Sequence, residues 1–208
     1  LDSLDAVFSS TGTSVALNLD GAVIDSSVIG GTTAAAGTFT TLTANSNLSV
    51  DGGTIKLDGN YPTGTGNVAL GNAALDDGSL SGNNNVAVGS AALTANTTGA
   101  NNIAVGYALP ANTSGGNNTS IGFATLEANN TASNNTAIGY AALNQNTTGY
   151  SNVAVGASSL DANTTGLSNT ALGAFSLSAN TTAANNTGLG FAALLTNSTG
   201  TANTAVGT

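Results

Sequence analysis

The amino-acid sequence predicts an all-β protein, a parallel β-solenoid or β-roll with coils of about 17 residues. The main observation is the recurring pattern Asn-(Val/Thr)-Ala-(Val/Ile/Leu)-Gly. Its glycines follow one another at intervals of 18, 17 and 16 residues and then of 17 residues throughout. Self-similarity at a fixed short period is the sequence signature of repeat architectures. The structural repeat glycines are Gly71, Gly89, Gly106, Gly122, Gly139, Gly156, Gly173, Gly190 and Gly207.

The residues before each glycine alternate with a period of two, which is typical of a β-strand. In one copy, Val153 and Val155 are expected on one face of the strand and Ala154 on the other. A coil of about 17 residues is too short for a strand, a helix and two turns. We therefore predict two short strands per coil, separated by the glycine bend and closed by a polar turn. Coils stacked ~4.8 Å apart would form a rod roughly 40 Å long.

Two further columns of residues keep the spacing of the glycines. A leucine follows each glycine from Gly71 to Gly190 by four residues, or by three after Gly106, and we expect these leucines in the core. They are Leu75, Leu93, Leu109, Leu126, Leu143, Leu160, Leu177 and Leu194. An asparagine opens the polar turn, and stacked copies of it can form a ladder of side-chain amides. These turn asparagines are Asn96, Asn112, Asn129, Asn146, Asn163, Asn180 and Asn197.

Glycine at the end of the strand recurs in every copy, which predicts a positive φ or a close backbone approach at that position. The glycine of the polar turn is less strictly required, because Ala132 and Ala183 replace it in two copies. Residues 1–60 lack the repeat and are predicted to form a small, irregular β-rich adaptor or connector. Residues 61–208 are predicted to form the solenoid, with about eight repeats.

The chain is unusually poor in charge, with 5% charged residues against roughly 25% in a typical soluble domain. Ten acidic residues and one base, Lys56, give a formal net charge of −9. Nucleic acid is excluded as a partner, because neutralising phosphates requires clustered Lys and Arg. No apolar run approaches the ~18 residues of a membrane span, so we expect no membrane insertion.

The sequence contains no Cys and no His. Their absence removes thiolate metal ligands, the commonest nitrogen ligand and the usual base at neutral pH. We therefore expect a protein that is not an enzyme, with no catalytic residues, no cofactor and no metal site.

The core of a single coil is too small to order the coil. The conformational entropy lost by about 17 residues exceeds what one leucine and one aliphatic such as Ile138 recover by burial. We therefore expect an oligomer that buries a further apolar surface. The candidates are the small column in the strands (Ala87, Ala104, Ser120, Ala137, Ala154, Ala171, Gly188 and Ala205) and the aromatic residues after the glycines (Tyr107, Phe123, Tyr140 and Phe191).

Residues 135–139 and 152–156, Asn-Thr-Ala-Ile-Gly and Asn-Val-Ala-Val-Gly, resemble the Asn-Ser-Val-Ala-Ile-Gly repeat of YadA-like head domains. Those domains occur in trimeric autotransporter adhesins and in phage tail fibres. The resemblance covers about residues 66–208, although the adhesin repeats are usually shorter. Residues 24–44 look like a segment that is common in tail-fibre-like proteins of marine and environmental phages, which favours the phage.

The resemblance implies a homotrimer of left-handed parallel β-rolls, with the small column facing the trimer axis. It favours a structural shaft segment of a tail fibre in the virion, involved in host attachment. Other virion or surface proteins would join the ends of the rod, and a tip outside this chain would contact a cell-surface receptor. The alternatives are a bacterial surface adhesin or extracellular filament subunit with the same roll, and an ice-binding solenoid.

Several features allow a second interpretation. Triplets such as residues 146–148 match the glycosylation acceptor pattern, but their structural period favours a turn ladder. Asp76 and Asp77 could contribute to a calcium site, although a solvated turn is favoured.

The aromatic residues could stack on sugars, although interface packing is favoured. An incomplete threonine column argues against ice binding. Glu127 and Asp161 are expected at different turn positions, which offers no paired carboxylates for catalysis.

Overall fold

A computed structural model describes residues 59–61 and 64–207 of the chain. The described residues form ten β-strands and no helix. The strands are β1 (Gly59–Tyr61), β2 (Gly64–Leu70), β3 (Val86–Val88), β4 (Ile103–Val105), β5 (Thr119–Ile121), β6 (Thr136–Ile138), β7 (Val153–Val155), β8 (Thr170–Leu172), β9 (Thr187–Leu189) and β10 (Thr204–Val206). The irregular segment predicted for residues 1–60 lies outside the described residues, except for the two that begin β1.

All ten strands belong to one sheet, in which each strand pairs with its neighbours in sequence. From β2 to β10 the pairing is parallel and in register, so that Ala137 lies beside Ala154 and Ala154 beside Ala171. The offsets between paired strands repeat the glycine intervals. This pairing confirms the predicted parallel β-solenoid. β1 instead pairs antiparallel with β2 and crosses the boundary predicted between residues 60 and 61.

Each coil contains one strand, and the prediction of two strands per coil is wrong for the described residues. Within residues 64–207, the only ladder contact of strand type after a glycine is an isolated bridge between Ala108 and Thr125. The reason is the backbone conformation, because Ala141 and Leu143 have φ values of 53° and 51°. A strand requires φ near −120°. Left-handed residues at alternate positions curl the chain into a bend that closes the coil.

The bend nevertheless forms hydrogen bonds with the coils on both sides. The amide of Ala141 donates to the carbonyl of Phe123 in the preceding coil, at 2.9 Å, and the amide of Leu143 donates to Ser159 in the following coil, at 3.0 Å. Equivalent bonds recur in the neighbouring coils. The bend is therefore held by a ladder along the axis, as the strand is.

The core of most coils consists of one leucine, the small residue directly before it and one small residue of the strand, as in Leu143, Ala142 and Ala137. The first coil also buries Leu80. Seven of the predicted core leucines are fully buried, and Leu194 is partly buried against them. The small column is also buried inside the coil, since Ala137 and Ala154 have no exposed surface. The expectation that this column faces other chains is therefore wrong. The strand and the leucine bend lie so close together that a Cβ at Gly188 would approach Leu177 Cγ to 3.4 Å and Ser176 Oγ to 2.5 Å.

The aliphatic residues on either side of the small column point outwards. Ile138 is only half-buried, and Leu172 is 45% exposed. The expectation that an aliphatic residue such as Ile138 joins the leucine in the core is wrong, because the alternation of the strand turns it to the opposite face. The predicted separation of Val153 and Val155 from Ala154 is present, with Ala154 inside.

All of the strand-ending glycines have the predicted positive φ, and all except Gly207 also show the close backbone approach. Their φ values lie between 100° and 138°. At Gly156, φ is 131° and an added Cβ would lie 2.6 Å from the carbonyl carbon of Gly173 in the next coil. Only glycine combines this φ with such a close approach between backbones.

The one-residue deletion after Gly106 removes a left-handed residue from the bend. In the other coils, the second residue after the glycine has a φ near that of Ala141. In the other coils, the carbonyls of the first and third residues after the glycine accept hydrogen bonds from neighbouring coils. In the shortened coil, the first residue, Tyr107, accepts from the amide of Ala124, and the second, Ala108, accepts from the amide of Leu93. Leu109 keeps its left-handed φ of 53° and its complete burial. The deletion therefore removes a residue from the bend and leaves the buried leucine in place.

Replacing Gly156 by alanine is expected to lower the free energy of unfolding by about 2 kcal/mol or more, because a left-handed backbone costs a residue with a Cβ ~1–2 kcal/mol before any collision is counted. Urea unfolding followed by circular dichroism measures the change. Gly78→Ala is the control, because a Cβ at Gly78 meets no heavy atom within 4 Å. Equal losses in the two variants would contradict the close approach at Gly156.

Candidate functional site

Two columns of buried asparagine side chains run through the solenoid. The first is the predicted turn column, in which each amide bonds within its own coil and to the coil before it. Asn112 Nδ2 donates to Gly115 O at 2.9 Å and to Asn96 Oδ1 at 3.0 Å. The same pair of bonds recurs along the column as far as Asn180. The predicted ladder of side-chain amides is therefore formed.

The second column is the asparagine directly before each of strands β3 to β10, with Asn67 at the equivalent position inside β2. Asn152 Nδ2 donates to Gly166 O at 2.8 Å, which closes the coil that begins at Asn152. Asn152 Oδ1 accepts the backbone amide of Asn169 at 2.9 Å, which attaches the following coil. The column comprises Asn67, Asn85, Asn102, Asn118, Asn135, Asn152, Asn169, Asn186 and Asn203. Its recurrence at the first position of the repeat was the signal available in the sequence.

The burial of these columns decides between two interpretations of the turn triplets. Asn96, Asn146 and Asn163 have no exposed surface, and their amides are used in the ladder. A glycan on any of them would displace the turn. The structural interpretation of the Asn-Thr-Thr triplets therefore holds for this fold.

Asn135→Ala is expected to lower the free energy of unfolding by about 1–3 kcal/mol, because it leaves the buried amide of Asn152 without its acceptor. The carbonyl of Gly149 loses one of its two donors and keeps Asn146 Nδ2. Thermal or urea unfolding measures the loss. Asn134→Ser is the control, since Asn134 is exposed and Ser151 holds the same position in the next coil. Equal losses of unfolding free energy in Asn134→Ser and Asn135→Ala would show that the buried hydrogen bonds of Asn135 do not stabilise the solenoid.

The outer face of the sheet carries a continuous aliphatic column. It is formed by the last residue of each parallel strand, and none of its members is buried. The column comprises Leu70, Val88, Val105, Ile121, Ile138, Val155, Leu172, Leu189 and Val206. Beside it runs a mixed column of Val, Ile and Thr from the first position of each strand. Together the two columns form what we call the strand face, which bears no charged residue.

The aromatic residues after the glycines form a second exposed column. The rings of Tyr107 and Phe123 stack with centroids 5.5 Å apart, and those of Phe123 and Tyr140 with centroids 6.1 Å apart and planes 9° from parallel. The stack ends at Tyr140, because the next coil has Ala157 at this position. Among the described residues, no other ring stacks on Tyr140.

A groove of about 370 Å³ lies between the aromatic column and the next outward column of the bend. Phe123 and Tyr140 line one side, with Ala124 and Ala141 between the sides. The residues on the opposite side are Glu127, Asn144, Gln145, Asp161 and Ala162. We call this the aromatic groove.

The aromatic groove corrects one expectation from the sequence. Glu127 and Asp161 do not occupy different turn positions, because each follows its strand-ending glycine by five residues. Both line the groove, with Asn144 at the same position in the coil between them. Counting from the glycine instead of comparing turn motifs would have placed them together.

The polar side of the aromatic groove is organised by hydrogen bonds. Asn144 Nδ2 donates to Glu127 Oε2 at 2.7 Å and to Ala124 O at 3.0 Å. Gln145 Nε2 donates to Asn144 Oδ1, and Ser178 Oγ donates to Asp161 Oδ1 at 2.7 Å. One oxygen of each carboxylate is therefore engaged, and the groove presents both donors and acceptors.

The other acidic pair lies in the first coil. Asp77 Oδ1 accepts hydrogen bonds from the hydroxyl and the backbone amide of Ser79, and these bonds hold the pKa of Asp77 below its usual value. Within residues 59–61 and 64–207, no three acidic, His or Cys side chains lie close enough together to hold a metal ion. The arrangement around Asp77 is that of a local turn.

Comparison of the chain with protein-family models, with curated proteins and with solved structures finds no match. In the part of the chain that the structure describes, no helix is long and apolar enough to cross a membrane.

Proposed function

We propose that the chain is a structural shaft segment of a trimeric phage tail fibre involved in host attachment. The observation that carries this proposal is the strand face, whose aliphatic column runs without a break through nine parallel strands. At ~4.8 Å per strand the column extends over roughly 40 Å. A rod of this kind, whose strand face can pack against the same face of another copy, is suited to a shaft that holds a receptor-binding tip away from the particle.

The strand face is the proposed contact between the three chains. The small column is enclosed in the coil, so the further apolar burial must come from outward side chains. Leu172 is 45% exposed and Leu189 is 41% exposed. Contiguous exposed apolar surface of this kind marks interaction sites in soluble proteins. A second and a third copy of the same chain present the same column at the same spacing, which allows contact along the whole length.

The thin core supports association. Most coils enclose one leucine and two residues no larger than threonine, such as Ala137 and Ala142 beside Leu143, which is little apolar burial for about 17 ordered residues. The asparagine ladders contribute hydrogen bonds, whose net value is modest. Burial of the aliphatic column against neighbouring chains would add stability to every coil at once.

Leu172→Asp is expected to dissociate the trimer, because a carboxylate on the strand face would be buried without a partner in all three chains. Light scattering after size exclusion should give three times the 19.8 kDa chain for the native protein and a smaller mass for the variant. Leu195→Asp is the matched control, since Leu195 is 41% exposed but lies in the bend. A native protein that is monomeric at all concentrations would refute the trimer.

The same roll would serve a bacterial surface adhesin or an extracellular filament subunit, located at the cell surface instead of in the virion. Electron microscopy with a labelled antibody against this chain separates these possibilities. Label on particle tails supports the fibre, and label on cell envelopes supports the adhesin.

Ice binding is the third alternative, but Val86, Ile103 and Val153 interrupt the threonines at the first position of the strands. Thermal hysteresis of the purified chain would test it.

A further inference from the structure

The aromatic groove differs chemically from the rest of the described surface. Of the acidic residues in the described part of the chain, Glu127 and Asp161 are the two that lie outside the first coil, and both line this groove. They face exposed rings across a floor of alanines. A concave site with apolar and aromatic lining and a few convergent polar groups is the usual form of a ligand site, and about 370 Å³ is within the usual range.

We propose that the aromatic groove binds a neutral pyranose unit of a glycan, with the sugar ring stacked on Tyr140 and its hydroxyls bonded to the polar side of the groove. This inference goes beyond the shaft function and does not depend on it. It rests on the break in the aromatic column, on the composition of the two sides and on the exposure of the groove.

The break in the aromatic column provides the stacking surface. Phe123 is 60% exposed, but it has a ring next to each of its faces, Tyr107 on one side and Tyr140 on the other. Tyr140 is 61% exposed, and the next coil places only the methyl group of Ala157 in this column. A flat ring with one apolar face would continue the stack beyond Tyr140, at the level of Asp161 and Ala162, which line the groove.

The polar side matches the hydroxyls of a sugar. In Glu127 and Asp161, one carboxylate oxygen accepts a hydrogen bond within the chain, and the second can accept from a hydroxyl. Gln145 and Asn144 add amide groups on the same side. Acceptors and donors next to an apolar ring face are what a pyranose requires, since its hydroxyls project from the edge of the ring.

The geometry favours a sugar over an organic cation. The carboxylates would attract a cation, and an aromatic face can hold one. An aromatic cage, however, surrounds the cation with several ring faces, whereas Tyr140 offers a single free face in the described structure. One flat face suits a flat ligand.

The aromatic column is better placed for a ligand than for the contact between chains. The aliphatic column of the strand face is continuous over nine strands, whereas the aromatic column is interrupted by Ala157 and Ala174. Symmetric packing along a rod uses a feature that every coil repeats. A site made by residues of three successive coils only is specific to one position along the rod.

The test is saturation-transfer NMR of the full chain with a panel of methyl pyranosides of hexoses, deoxyhexoses and N-acetylhexosamines. Tyr140→Ala removes the stacking ring, and the fold accepts alanine there because Ala157 and Ala174 occupy the same column. Tyr150→Ala is the matched control, since Tyr150 is 49% exposed and does not line the groove. Asp161→Asn is the second variant, and Asn144 shows that asparagine fits this position.

At least one pyranoside is expected to bind the native chain and Tyr150→Ala equally, and to bind Tyr140→Ala about tenfold more weakly or worse. Asp161→Asn should also weaken binding. No binding by any member of the panel, or equal binding by Tyr140→Ala, would overturn the proposal. Binding of tetramethylammonium in place of every pyranoside would overturn it too and assign the groove to cations. If a monomeric chain binds a pyranoside, the proposed trimer is refuted and the proposed sugar site is supported.

Discussion

The structure depends on the buried asparagine at the start of each strand. Its Nδ2 closes one coil, as Asn152 does on Gly166, and its Oδ1 receives the first amide of the next coil. Without this side chain the backbone amide of Asn169 would be buried without an acceptor, and the carbonyl of Gly166 would keep only the side-chain amide of Asn163. In the described residues, no buried side-chain nitrogen or oxygen lacks a partner. Because each asparagine joins neighbouring coils, the stability of the solenoid is a sum of nearest-neighbour terms.

The asparagine ladders allow a backbone that would be unfavourable in isolation. Leu143 and the other core leucines have left-handed φ values, which cost residues with a Cβ ~1–2 kcal/mol. This conformation directs each leucine into the coil while the bend turns back towards the strand. The strained residues lie between two ladders, that of the turn asparagines and that of the strands, so the bend cannot relax without breaking bonds to both neighbouring coils.

Much of the fold could be predicted, because stacking aligns like residues and makes the period visible. The parallel pairing, the leucine core and the turn ladder follow from columns that recur with the glycines. The single strand per coil did not follow, since Ala141 and Leu143 look like ordinary strand residues and only their φ values reveal the bend. The orientation of the small column was also missed. The alternation shows that a strand has two different faces, but it does not show which face points into the coil. The strand and the leucine bend lie so close together, as at Gly188 and Leu177, that only the face with the small residues fits inside.

The aromatic groove could not be predicted from the repeat, because a repeat draws attention to what every coil shares. Its residues vary within their columns: the next two coils have Ala157 and Ala174 in place of the rings, and neutral residues such as Ser178 and Leu195 stand where Glu127 and Asp161 carry carboxylates. On a surface with so few charges, two unpaired carboxylates in one column create a local field that no neighbouring base neutralises in the described structure. The shared positions therefore build the rod and its continuous strand face. The departures, which contribute little to the stacking, are where a solenoid can acquire specificity for a ligand.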